Sequence, residues 1–169
     1  VRSLIEVEPL GAFYDGSLVL LSSADNMLDT QDQYEDQKIY ITENDMLEYT
    51  LGKLGATVYV REQSELIDAF NNGKNRIIEC DTLQLEQIKM PSKRNNIVLC
   101  ESFHKASINW LFLSTENLSS LTADELSIIK EAAAFAVAQN DELVTTAEEQ
   151  GIEYVSQLGA SKSKPNYSE

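Results

Sequence analysis

The chain has 169 residues, 43% of them hydrophobic, with seven glycines and three prolines; this suits one domain with a proper core, or one domain and part of a second. Its 28 carboxylates outnumber 13 lysines and arginines for a formal net charge of -15, which argues against nucleic acid or an anionic membrane surface as partner, because phosphate contacts need a basic patch. No apolar run approaches the roughly 20 residues that cross a bilayer, and the opening "VRSLIEVEPLG" lacks the charged start and apolar core of a signal peptide, as a mature chain without its leader also would.

In chain order, "SLVLLS" at 17–22 is a continuous apolar run, the pattern of a strand buried on both faces. "DTQDQYEDQ" at 29–37 reads as a solvated loop or a single helical turn, and "KIYIT" at 38–42 as the next strand. A helix is predicted from Thr42, whose hydroxyl can cap free amides while Asp45 favours the positive end of the dipole. Leu47, Thr50, Leu51 and Leu54 form its stripe, and Gly55 supplies a left-handed stop. "TVYV" at 57–60 is a strand. Ser64 is the expected N-cap of a helix that buries Leu66, Ile67, Ala69 and Phe70 and stops at Gly73.

"RIIEC" at 76–80 is a further strand, and the connection at 81–96 is helical at most as far as Pro91. "NIVLCES" and "INWLFLS" predict two separate strands, with Trp110 and Phe112 expected in the core. Thr122 and Glu125 make a capping box for a long helix with Ile128, Ile129, Ala132, Phe135, Ala136, Leu143 and Val144 on its apolar face. Gly151 is expected to end it, "IEYVS" at 152–156 to form a last short strand, and residues 159–169 to be a mobile tail after a single domain over 1–158. Strands alternating with helices over 38–80 imply right-handed crossovers and a largely parallel sheet. The fold class is α/β.

The chemical signatures are sparse. There is no G-x-S-x-G elbow, phosphate loop, G-x-G-x-x-G or H-E-x-x-H. Cys80 and Cys100 each close a strand-like run and fit no metal spacing; they are one disulfide in an oxidising compartment or, as expected, two buried thiols. The sole histidine, His104, lies four residues after Cys100, but a nucleophilic pair also needs an orienting group and an oxyanion site. His104 reads more readily as a hydrogen-bonded structural residue than as a ligand. Glu79 and Asp81 flank Cys80 at a strand end, which is either solvated or part of a ligand site, since open α/β sheets bind ligands at the carboxyl ends of strands.

The ordered segments resemble one family, the extracytoplasmic solute-binding proteins of tripartite ATP-independent periplasmic (TRAP) transporters, of the DctP-like kind. "LGATVYVREQSELIDAFNNG" at 54–73 is similar to the family's strand-to-helix step ending "SELYTALQTG", and "YEDQKIYIT" to "PEDLKGLKIRV". "SFHKASINWLFLS" resembles "TNHSYSPFPLLIS", and the segment from Leu118 to Leu143 the family's long "LSPEDQKIIQEAAKEAAEYQREL" helix. The correspondence is colinear from about Leu10 to Ser156. It implies a periplasmic-binding-protein-like lobe: a mostly parallel sheet flanked by helices, plus a long C-terminal helix, with most of the first lobe lacking.

The resemblance further implies a periplasmic or extracytoplasmic solute receptor without catalysis and without a cofactor. Its partners would be a small-molecule solute and integral membrane TRAP subunits, and the seat of the lacking lobe would be a surface for self-association. By position, Tyr40, Glu79, Cys80 and Asp81 would face the cleft and His104 would lie near the hinge. Two departures concern the ligand. Tyr40 stands where the family carries the arginine of "KIRV", and Leu18 at a second arginine position; Cys80 replaces the asparagine of "QEN". Neither Tyr40 nor Leu18 can form an arginine's bidentate pair with a carboxylate, so a neutral or cationic solute suits this set better. The alternative is a ligand-free interaction module built on the same lobe.

Overall fold

The computed structural model describes residues 7–23, 27–89 and 96–165. A six-stranded sheet contains β1 (Val7–Ser22), β2 (Lys38–Ile41), β3 (Thr57–Val60), β4 (Ile77–Asp81), β5 (Val98–Ser114) and β6 (Ser161–Ser163), in the order β3-β2-β4-β1-β5-β6. β2 runs parallel to β3 and to β4, and β5 parallel to β6, whereas β1 is antiparallel to β4. Helix α1 (Asp45–Lys53) connects β2 to β3 and α2 (Gln63–Asn71) connects β3 to β4; α3 (Thr115–Leu118) and α4 (Ala123–Gln157) follow β5. The architecture is the expected mostly parallel α/β sheet with flanking helices and a long C-terminal helix. No described helix is long and apolar enough to cross a membrane.

The described residues fall into two compact units, one within Ser17–Lys105 and Glu148–Glu169, the other within Val1–Gly16 and Ala106–Ala147. In the larger unit the sheet is covered on both faces. One face packs Val19, Leu21, Ile78, Cys80 and Leu99 against Leu66, Ile67 and Phe70 of α2 and Val155 of α4. The other packs Leu20, Ile39, Ile41, Ile77 and Cys100 against Leu28, Tyr34, and Leu47 and Leu51 of α1. This alternation is the period of two that a strand imposes. Tyr34 is fully buried and its hydroxyl donates to the Leu28 carbonyl at 3.1 Å. Replacing Tyr34 with phenylalanine is expected to cost about 1 kcal/mol, read as a lower urea midpoint, because a buried acceptor loses its main donor.

Local capping differs from expectation at two helices. Asn44, not Thr42, caps α1, its side chain accepting from Leu47 N at 3.1 Å; Thr42 is engaged elsewhere. α2 starts one residue before Ser64, after Glu62, with no side-chain cap. The stops at Gly55 and Gly73 stand, with φ of 92° and 68° that a β-carbon would oppose. The connection after β4 is a 3-10 helix, Thr82–Gln87; Pro91 lies outside the described residues.

Longer elements replace several short ones. β5 runs unbroken through "FHKAS", with Phe103 at φ 40° absorbing the irregularity that reads as a break in the sequence. α4 continues through Gly151, so "IEYVS" is helical, with Val155 in the core and Ile152 and Tyr154 packed against it. Gly151 is a site of close approach rather than a stop: a β-carbon there would lie 2.7 Å from the Thr82 carbonyl oxygen. Residues 161–163 of the expected tail form β6, in register with Val98–Cys100.

In the smaller unit, α4 packs along β1. A β-carbon on Gly11 would meet Val137 at 2.7 Å, Asn140 donates to the Tyr14 carbonyl at 2.6 Å, and Lys130 pairs with Glu8 at 3.1 Å. Trp110 and Phe112 overturn the core expectation. They stack on each other at 6.1 Å but are 60% and 40% exposed, and Ile108, Ile128, Phe135 and Leu143 are exposed too. An apolar period reports which side chains share a face, not whether anything covers it. Emission from the single tryptophan is therefore expected at long wavelength and readily quenched by acrylamide; a blue-shifted, shielded signal would contradict this exposure.

Candidate functional site

A polar cluster in the larger unit gathers side chains from β4, from β5 and from the residue just past the end of β2. Glu79, in β4, is fully buried and carries a carboxylate, so it needs partners to remain there. It has them. Oε2 accepts the Thr42 amide at 2.8 Å and the Thr42 hydroxyl at 2.5 Å, just past the end of β2. Oε1 faces His104 Nε2 of β5 at 3.1 Å, and His104 Nδ1 faces Ser102 Oγ at 2.8 Å. With Nε2 donating to Glu79, Nδ1 accepts the Ser102 hydroxyl in the neutral ring and donates to it in the cation.

The strand pattern explains the meeting. Leu20 pairs with Glu79 and Cys100 lies on the same face as Leu20, so the alternate residues Ser102 and His104 project towards Glu79. The left-handed Phe103 lies between them. Burial pushes the Glu79 carboxyl up, but the bonds from His104 and Thr42, with the charge of His104, outweigh it and hold the group below its usual value. The result is a satisfied anionic clasp joining β2, β4 and β5. Only the His104 end is open, its side chain 15% exposed.

The five residues expected to share a site divide. Glu79 and His104 are brought together. Asp81 is half-buried and caps the following 3-10 helix, its Oδ1 accepting from Leu83 N at 2.9 Å. Cys80 is wholly buried in the opposite face with its thiol pushed up by burial, so no solute reaches it in this structure. Tyr40 packs on that same opposite face and stacks on Tyr59 at 5.0 Å. Tyr40 and Glu79 therefore share no hollow, because successive residues in paired strands alternate sides. The two cysteines are free; Cys80 and Cys100 belong to the two different faces, which separates their thiols.

Thr42 and Ser102 are members of the cluster that the sequence did not announce. Thr42 has the residue pattern of a helix cap, and only the position of Glu79 redirects its hydroxyl. Ser102 carries a faint signal, since it lies two residues from His104 and shares its face in a strand. No group of three or more histidine, cysteine, aspartate or glutamate side chains suited to a metal occurs among the described residues.

The backbone, compared with solved structures, has the fold of TRAP periplasmic solute-binding proteins. The ectoine binding protein TeaA of the TeaABC TRAP transporter matches with a TM-score of 0.78 at 16% identity, covering 95% of this chain and 52% of that one. A TRAP periplasmic solute-binding protein from Xanthobacter autotrophicus Py2 with bound β-D-galacturonate matches at 0.70 and 16%, covering 99% and 55%. One from Citrobacter koseri in an apo, open form matches at 0.74 and 18%, covering 95% and 54%. The chain thus spans about half the length of these proteins. No family model matches the sequence, and no curated protein matches it either.

Proposed function

We propose that the chain is the sheet lobe of a solute receptor serving a TRAP-type secondary transporter, binding a small molecule without chemistry and acting with integral membrane subunits outside the cytoplasm. The observation that carries this reading is a match over 95% of the chain to solved TRAP receptors at a TM-score up to 0.78. The clasp fits it. Glu79 has no surface of its own, so its role is to orient His104, which together with Asp81 offers partly exposed polar side chains beside the carboxyl end of β4. By the family resemblance, the absence of an arginine at positions 40 and 18 favours a neutral or cationic solute over a simple organic acid.

Calorimetric titration with a panel of neutral, cationic and sugar-acid solutes tests the proposal. Saturable binding of one solute, weakened about tenfold or more by His104→Ala through loss of one hydrogen-bonding group, is the expected result. A silent panel overturns it. The second reading, an interaction module, draws on the exposed Trp110, Phe112 and Phe135. Light scattering separates the two, since a clean monomer that binds solute leaves no need for the second.

A further inference from the structure

We propose that the starts of β2 and β4 carry a second binding site, for a small polyanion such as a polycarboxylate or a phosphate, independent of the solute reading above. A depression of about 380 Å³ there is lined by Lys38, Tyr40, Lys74 and Arg76, with Asp36 and Ile77 in its wall. That volume lies in the lower part of the range for small-molecule pockets, roughly 300–1,000 Å³. The opposite ends of the same strands lead to Thr42 and Glu79, so this depression and the clasp are at different places on the lobe.

The cations are brought together by the register. Ile39 pairs with Ile77, which puts Lys38 and Arg76, one residue earlier on each strand, side by side. Adjacent strands are about 4.8 Å apart, and like charges at facing positions repel. Lys74 joins them from the turn after α2, where Gly73 at φ 68° bends the chain and Lys74 N donates to the Ala69 carbonyl at 2.8 Å. None of these three forms an ion pair among the described residues, whereas Lys130, Lys162 and Lys164 each find a glutamate in this strongly acidic chain.

Two negative features oppose the three cations. The carbonyl end of α2 attracts Lys74, an effect confined to the last turn, and Asp36 contributes one carboxylate. An excess of positive charge remains, and a ligand with two or more negative charges removes the repulsion between Lys38 and Arg76 through charge-assisted bonds. Tyr40, held against Tyr59, supplies a stiff aromatic wall on one side. Such a site is exposed, so its affinity falls as salt rises.

The test is calorimetric titration with citrate, and separately with inorganic phosphate, at low ionic strength, with amide chemical shifts mapping the contact. The expected result is saturable binding with shifts confined to residues 36–40 and 74–77. Affinity should weaken by about tenfold or more in a Lys38→Gln, Arg76→Gln double variant, each lost cation removing a charge-assisted bond, and stay unchanged in Lys130→Gln. Tighter binding of citrate assigns a polycarboxylate, and tighter binding of phosphate assigns a phosphorylated ligand. Lack of saturable binding by both, binding that survives the double variant, or shifts spread over Lys162 and Lys164 would each overturn the proposal.

Discussion

Replacing Glu79 with alanine is expected to destabilise the protein by about 3 kcal/mol or more, the scale for deleting one partner of a buried hydrogen-bonded pair. The Thr42 amide and hydroxyl and His104 Nε2 would all lose their acceptor, in a place water does not reach. Against a typical total stability of about 5–15 kcal/mol this is a large fraction, and equilibrium urea denaturation reads it directly. Glu79→Gln keeps the volume and one acceptor, so its cost should be smaller, about 1–3 kcal/mol. An alanine variant as stable as the parent would show that the clasp holds nothing together.

The same group gives the protein a pH dependence with a definite sign. The folded state holds the Glu79 carboxyl below its ordinary value of 4.5. Its contribution is therefore fully present above that value, where the carboxyl is ionised in both states, and fades as pH falls through the lower folded value. Acidification also relieves the repulsion among the other carboxylates, so the difference between the parent and Glu79→Gln is the useful quantity. That difference should shrink on going from neutral pH to below 4.5, and a gap that widened instead would contradict the assignment.

Gly151→Ala should be the other severe substitution, and its sign opposes helix propensity. Within a helix, alanine is ordinarily favoured over glycine by about 1 kcal/mol. Here the added carbon would lie 2.7 Å from the Thr82 carbonyl oxygen and 3.2 Å from Leu85 Cβ. Thr82 cannot easily yield: its hydroxyl bonds the Ser17 backbone and Glu148, at 3.0 Å and 2.5 Å. Overpacking of this kind costs about 1–3 kcal/mol. Gly52→Ala, in α1 with nothing within 4 Å, should instead stabilise by about 0.5–1 kcal/mol. Measuring both by denaturation isolates the contact, because propensity alone predicts that both stabilise.

Much of the larger unit was legible because its signals are local. The strand runs at 38–41 and 57–60, the apolar stripe of α1, and the stops at Gly55 and Gly73 each depend on a few consecutive residues. The candidate site was half legible. Glu79 stands at a strand end and His104 is the only histidine, but they are 25 residues apart in sequence and meet only because β1 lies between β4 and β5 in the sheet. Cys80 adjoins Glu79 in sequence but faces the other side of the sheet, as neighbours on a strand do.

The amino-acid sequence by itself determined the α/β class, the positions of the local elements and a surface dominated by negative charge, because periodicity, turn residues and composition act over short distances. Tertiary structure alone decided that Thr42 serves Glu79 rather than α1, that Gly151 is a packing contact within a continuous helix, and that Trp110 lies exposed. Each of those outcomes depends on what a distant part of the chain places beside the residue, and a one-dimensional pattern carries no record of that neighbour.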